Sequence, residues 1–281
     1  MYYSRFQVTC APDYSEILMA EMAEAGFDSF LETDSGFEAY VTLENYDKEK
    51  LEEIKTRYGA QTPLTFEQDK IEKRNWNEEW EQSYQPIIVD NRCLIRAAFH
   101  APDAAYPYEI VITPKMSFGT GHHQTTYLMV KSQLDMDHRD KRVMDAGCGT
   151  AILSIMACKL GATSVEAFDI DEWSVINGQE NIEVNGCTGI HLEQGKFEDL
   201  QPQGTFDIIL ANINKNVLLQ EIKYYQGCLA PGGLLLLSGF YTHDIADIAG
   251  EAGRYGLRPV RDDERESWAS VLFQKEASGG R

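Results

Sequence analysis

Two glycines and the acids around them set the chemistry open to this chain. After the apolar run Arg142-Val143-Met144-Asp145 comes Ala146-Gly147-Cys148-Gly149-Thr150-Ala151, and helical spacing resumes beyond it. That order predicts a strand, a tight turn and a helix, with the glycines letting the backbone approach a ligand at the carboxyl end of the strand. Alone, a glycine pair could serve only the turn. The next strand ends in Phe168-Asp169-Ile170-Asp171, which places Asp169 roughly 20 residues past the turn, where an acid accepts hydrogen bonds from ribose hydroxyls. Together these residues point to an adenosine-containing cofactor. A dinucleotide fingerprint would need glycine where the chain has Ile152, so NAD is the minority reading.

Phe206 to Ile213 reads as a later strand that leaves Asn212 at its tip on the same edge. An amide there can hold the amino-acid part of a cofactor or accept from an incoming amine, although strand-end Asn is also common in ordinary turns. Phe118-Gly119-Thr120-Gly121-His122-His123-Gln124-Thr125-Thr126 is expected as a flexible polar loop running into a helix that Thr125 or Thr126 is placed to cap. His122 and His123 invite a metal, but adjacent side chains diverge and no cysteine or acid pair accompanies them at ligand spacing, so none is expected. The six cysteines are scattered and are expected as reduced thiols.

Asp145-x-Gly147-x-Gly149 resembles the D-x-G-x-G motif of class I S-adenosylmethionine-dependent methyltransferases, which implies that the acid lies near the charged amino-acid portion of the cofactor. Asn212 continues as Ile213-Asn214-Lys215 and so departs from the N-P-P-Y motif of amino-group methyltransferases. The loop string F-G-T-G-x-H-x-T-T, followed by D-x-G-C-G, D-I-D and A-N-I and preceded by Trp76, Trp80 and the segment Tyr84 to Pro86, resembles the ribosomal protein methyltransferase A family over residues 70–275. The resemblance implies S-adenosylmethionine as cofactor, held by Thr126, Gly147, Gly149, Asp169 and Asn212. It also implies methyl transfer to lysine ε-amines and an N-terminal α-amine of large-subunit ribosomal protein eleven. Neither a covalent nucleophile nor a metal is expected, and His123 and Asn212 are the polar candidates beside the amine. Departures from the family pattern are Asn75, where Asp is common, and Ala151, where a third glycine is usual and a methyl is expected to narrow the space under the cofactor. Three alternatives stay open: a class I methyltransferase of another amine or of RNA, a catalytically silent ribosome-associated binding module, and an NAD oxidoreductase.

The elements that position these residues follow from periodicity. Alternation over Tyr3 to Thr9, helical spacing through Ile17, Leu18, Met22 and Ala25, and strands over Phe27 to Glu32 and Phe37 to Leu43 open the chain. A charged helix over Lys48 to Tyr58 and a strand over Leu64 to Glu67 complete a small ferredoxin-like α+β domain over residues 1–66, which the resemblance makes the substrate-recognition part. Residues 67–86, polar but with Trp76 and Trp80 one turn apart, are expected as a linker helix. Short strands at 87–90, 93–99 and 109–113 follow. From Arg142, strands alternate with helices, predicting an α/β class I methyltransferase domain over residues 87–275 with a Rossmann-like, doubly wound parallel sheet. Leu257 to Val260 and Trp268 to Gln274 are expected as edge strands, and 276–281 as a tail.

Composition narrows the partners. Lys and Arg number 25 against 45 Asp and Glu, for a net charge of −20, a field that repels nucleic-acid phosphates and attracts basic polypeptides. Hydrophobic residues at 43% and charged residues at 25% are near globular averages, so the chain is expected to fold. No apolar run approaches the ~20 residues of a membrane span, and the first residues form no signal peptide. A cytoplasmic monomer that touches neither DNA nor membrane is the expectation.

Overall fold

The computed structural model describes residues 3–42, 47–71, 84–115 and 117–277, in two compact units, Met1–Ser83 and Tyr84–Arg281. In the first unit β1 (Tyr3–Thr9), α1 (Pro12–Glu24), β2 (Ser29–Thr33), β3 (Gly36–Thr42), α2 (Lys48–Gly59) and β4 (Thr65–Ile71) build an antiparallel sheet of order β2-β3-β1-β4. Strand alternation gathers Phe6, Val8, Phe37, Ala39 and Val41 into one core with Leu18 and Met22 of α1 and Leu51 and Ile54 of α2. Proline starts α1, and Asp47 caps α2 by accepting from the N–H groups of Glu49 and Lys50 (3.0 and 3.1 Å).

This is the expected ferredoxin-like unit with one correction. β4 runs through Ile71, so residues 67–71 are strand and not the start of a linker helix. β4 is an edge strand, and edge strands carry charges such as Asp69, here paired with Arg5 of β1 (2.7 Å). In the sequence, that polarity looks like the surface of a helix. Residues 84–86 are not helical. The remainder of the expected helix, with Trp76 and Trp80, lies outside the described residues.

The second unit opens with a small sheet of β5 (Ile87–Val89), β6 (Cys93–Arg96) and β7 (Tyr108–Val111), followed by α3 (Gln124–Leu134). The main sheet is then laid down by β8 (Arg142–Ala146), α4 (Ile152–Lys159), β9 (Ser164–Asp169), α5 (Glu172–Val184), β10 (Ile190–Gln194), α6 (Phe197–Leu200), β11 (Phe206–Asn212), α7 (Lys215–Cys228), β12 (Leu229–Tyr241), α8 (Ile245–Arg254), β13 (Leu257–Arg265) and β14 (Trp268–Lys275). Its order is β10-β9-β8-β11-β12-β14-β13, parallel through β12. Alternate residues of β8, β11 and β12 feed two separate apolar layers, one holding Val143, Ile208 and Leu236, the other Met144, Ile209 and Leu235. Such double burial explains the nearly continuous apolar runs of these strands.

β14 is not the expected edge strand. A two-residue turn at Glu266 and Ser267, both at positive φ (49° and 68°), folds it back along β13, and it pairs antiparallel with β12 on its other side. Ala269 to Phe273 are consequently buried, and of the two strands expected at the edge β13 is the one that lies there. No helix among the described residues is long and apolar enough to cross a membrane. The order in which strands are added reverses between the parallel neighbours β8 and β11, and a crevice at the carboxyl ends of such strands is where ligands of α/β sheets bind.

Candidate active site

Register brings the motif residues to that crevice. Ala146 of β8 pairs with Phe168 of β9 and with Ala211 of β11, so the tips carrying Gly147, Asp169 and Asn212 end level. The N–H groups of Gly147 and Cys148 both donate to Phe168 O (2.9 and 3.0 Å). Gly147 has φ +69°, and a Cβ there would fall 2.3 Å from Ile213 Cγ2. Gly149 has φ +52°, and its Cβ would fall 2.3 Å from Phe118 O. Both positions therefore need glycine for conformation and for room. Gly149 N–H donates to Asp169 Oδ2 (2.8 Å) and Asp171 N–H to Oδ1 (3.0 Å), which fixes the carboxylate.

These residues line a cavity of about 340 Å³ together with Thr126, Phe118 and Ile152, a size suited to a small organic ligand. Asn212 Oδ1 and Thr126 Oγ1 are buried there with no hydrogen-bond partner. A buried polar atom left unpaired costs ~1–3 kcal/mol, so two of them on one wall mark a place where a ligand supplies the missing bonds. Thr126, Gly147, Gly149, Asp169 and Asn212 are thus brought together as the sequence predicts. Among the described residues no group of three or more His, Cys, Asp or Glu side chains is placed to hold a metal ion.

Other expectations need correction. His123 does not line the cavity. It is the N-cap of α3, its Nδ1 accepting from Thr125 N–H (3.3 Å), and its ring packs against Trp268 (4.6 Å between centroids). Burial lowers its pKa from the usual imidazole range. Neither Thr125 nor Thr126 caps the helix; both are fully buried. The Phe118–Thr126 loop is held on both sides: Thr150 donates from N–H to Phe118 O (3.0 Å) and from Oγ1 to Gly119 O (2.6 Å), and His122 Nε2 lies 3.1 Å from Gln85 O. Ala151 does not reach the cavity. It sits at φ +61° with its methyl facing Gly178 of α5.

Asp145 also lies outside the cavity lining, fully buried. Its Oδ2 accepts from Ser154 N–H (3.0 Å) and Ser154 Oγ (2.6 Å), doing for α4 what the cap residue Ala151 cannot. Burial pushes its pKa up to about 7, with nearby Asp169 adding to the rise. An acid whose folded pKa lies above its unfolded value of ~3.9 contributes its full stability below that value and loses it as pH rises toward 7. Asp145→Asn keeps the acceptor for Ser154 and removes the ionisation. We expect it to flatten the stability profile between pH 4 and 8, so that its stability relative to the wild type rises as the pH passes from 4 to 8. Melting curves across that range decide, and parallel profiles for the two proteins would refute the role.

Sequence reasoning missed Glu221, Lys196 and Phe197 on the cavity wall. Gly195, directly after β10, is the signal that could have found them, because glycine at a strand end admits a close approach.

A family model described as ribosomal protein L11 methyltransferase (PrmA) matches residues 14–276. A ribosomal protein L11 methyltransferase of Bacteroides thetaiotaomicron is 44% identical over 266 residues, covering 94% of this chain and 95% of that protein. One of Porphyromonas gingivalis is 41% identical over 276 residues, covering 95% of each. Among solved structures, a ribosomal protein L11 methylase from Lactobacillus delbrueckii subsp. bulgaricus superposes with a TM-score of 0.63 at 28% identity, covering 69% of this chain and all of that one. A methyltransferase from Pyrococcus furiosus shares the fold, with a TM-score of 0.52 at 20% identity. With glycine turn, acid and strand-tip amide meeting in one crevice of a class I methyltransferase sheet, and with matches that span nearly the whole sequence, this chain belongs to the ribosomal protein L11 methyltransferase family.

Proposed function

We propose that this methyltransferase transfers methyl groups from S-adenosylmethionine to lysine ε-amino and N-terminal α-amino groups of ribosomal protein L11, with Thr126, Gly147, Gly149, Asp169 and Asn212 holding the cofactor. The observation that carries the reading is the pair of buried, unpartnered atoms, Thr126 Oγ1 and Asn212 Oδ1, on the wall that also presents Asp169. When bound, S-adenosylmethionine supplies an electrophilic methyl group on a positively charged sulfur. Asp169 keeps lone pairs for ribose hydroxyls beyond the two backbone bonds it already accepts. Asn212 and Thr126 offer acceptors to ammonium or amine N–H groups. Phe118, Ile170 and Val217, exposed at 53%, 73% and 40%, give the mouth an apolar rim. A lysine amine, ordinarily at ~10.4, loses the water that favours its charged form on passing that rim, which lowers its pKa so that its proton passes to solvent and the lone pair is free for in-line attack.

Net charge supports a basic protein substrate, and the ferredoxin-like unit, with its own core and none of the cavity residues, is the recognition part. The setting is the cytoplasm, with the enzyme acting as a monomer. Incubation with labelled S-adenosylmethionine should place label on purified L11. A chain beginning at Tyr84 should bind S-adenosylhomocysteine with near-native affinity and leave L11 unlabelled. Full labelling by the shortened chain would remove the recognition role, and absence of labelling by the intact chain would remove the substrate.

A further inference from the structure

The cavity wall carries a charge that the family motifs leave without a purpose. Glu221 lies in the second turn of α7, half-buried, and lines the cavity. Its Oε2 accepts from the phenol of Tyr225 one turn further on, and Tyr225 is completely buried. Burial and the adjacent Glu221 hold that phenol well above its ordinary pKa, so Tyr225 stays a donor. Glu221 Oε1 takes no hydrogen bond from any described residue. Lys196, the cation on the same wall, is drawn to Glu198 (3.3 Å).

Glu221 and Asp169 line the same cavity. Gly195 N–H donates to the backbone oxygen of Asp169 (2.9 Å), so the chain leaving β10 runs beside that acid. Two residues on, Phe197 meets Tyr225 edge to face, with centroids 5.8 Å apart. Phe168, Ile170 and Val217 line the same cavity. Aromatic and branched apolar walls suit a flat heterocycle, and the open acceptor Glu221 Oε1 beside Phe197 and Val217 is suited to a ring substituent that carries N–H.

We propose that Glu221 is a specificity-determining residue, whose free oxygen accepts from the exocyclic amine of the cofactor's purine and rejects a 6-oxo purine. The proposal rests on the adenosine-cofactor reading above. A carboxylate has no proton to offer a carbonyl, so a 6-oxo ring would put two acceptors face to face and leave both unpaired.

Calorimetry on the full chain tests this with S-adenosylhomocysteine and its inosine counterpart. The wild type should favour the amino compound roughly tenfold to a hundredfold. Glu221→Gln keeps an acceptor for Tyr225 and gains an N–H donor, so its preference should narrow to within about threefold. A wild-type preference already that small, or an unchanged preference in the glutamine variant, overturns the proposal. Should the variant fail to fold, the wild type with the N6,N6-dimethyl analogue decides: having no N–H, it should bind as weakly as the inosine compound, and binding as tight as the amino compound overturns the proposal. A wild type that binds none of these ligands defeats the adenosine reading itself, a result distinct from binding without discrimination.

Discussion

Gly149→Ala is expected to weaken S-adenosylhomocysteine binding by at least about a hundredfold. The φ of +52° costs an L-residue ~1–2 kcal/mol. The new methyl would also fall 2.3 Å from Phe118 O, a backbone atom that cannot swing aside. Either the glycine turn or the Phe118 loop must move. Both line the cavity, and Gly149 N–H is one of the two backbone donors that fix Asp169. A surface control separates this from a general effect of lost glycine: a Cβ at Gly250 in α8 would meet nothing within 4 Å, so Gly250→Ala should leave binding unchanged and gain up to ~1 kcal/mol of helix stability. If Gly149→Ala melts earlier yet binds like the wild type, the close contact of the two loops is structural alone.

Asp169→Ala should cost roughly 1.5–3 kcal/mol of cofactor affinity, the value of hydrogen bonds to a charged acceptor. The alanine variant also leaves the N–H groups of Gly149 and Asp171 without their acceptor, so the turn loosens as well. Because Gly149 and Asp169 share a bond, the double variant should lose less than the sum of the single losses, as contacting residues do. Isothermal titration of the four proteins completes the cycle. Affinity within about twofold of wild type in Asp169→Ala would show that ribose is held by other groups.

The legible part of this site was the part written in consecutive residues. Gly147, Gly149, Asp169 and Asn212 each follow directly on an apolar run, and parallel register alone brings such strand tips level. Glu221 was not legible because a lone acid inside an amphipathic helix looks like solvated surface, whereas in the fold it accepts from the buried Tyr225 and lines the cavity. His123 and Thr126 are close in sequence, but the start of α3 divides them into a cap outside the cavity lining and a buried wall residue. The full length of β4 and the interior place of β14 depend on partners far away in sequence, Tyr3 to Thr9 for one and Leu234 to Tyr241 for the other. Local polarity carries no trace of such pairings.

The interior place of β14 bears on how the protein is made. β12 presents Leu234 to Leu237 along the edge that β14 later covers, and the chain must grow from Tyr241 to Lys275 before that cover exists. At ~5–20 residues per second, a nascent chain leaves the apolar edge unpaired for some seconds while α8 and β13 emerge. Strand edges of this kind are the sites where growing chains join their neighbours. During synthesis, then, the five parallel strands behind the crevice wait as an open template, and a ribosome that stalls within β13 holds a polypeptide that already carries its cavity-lining strand tips but is ready to aggregate.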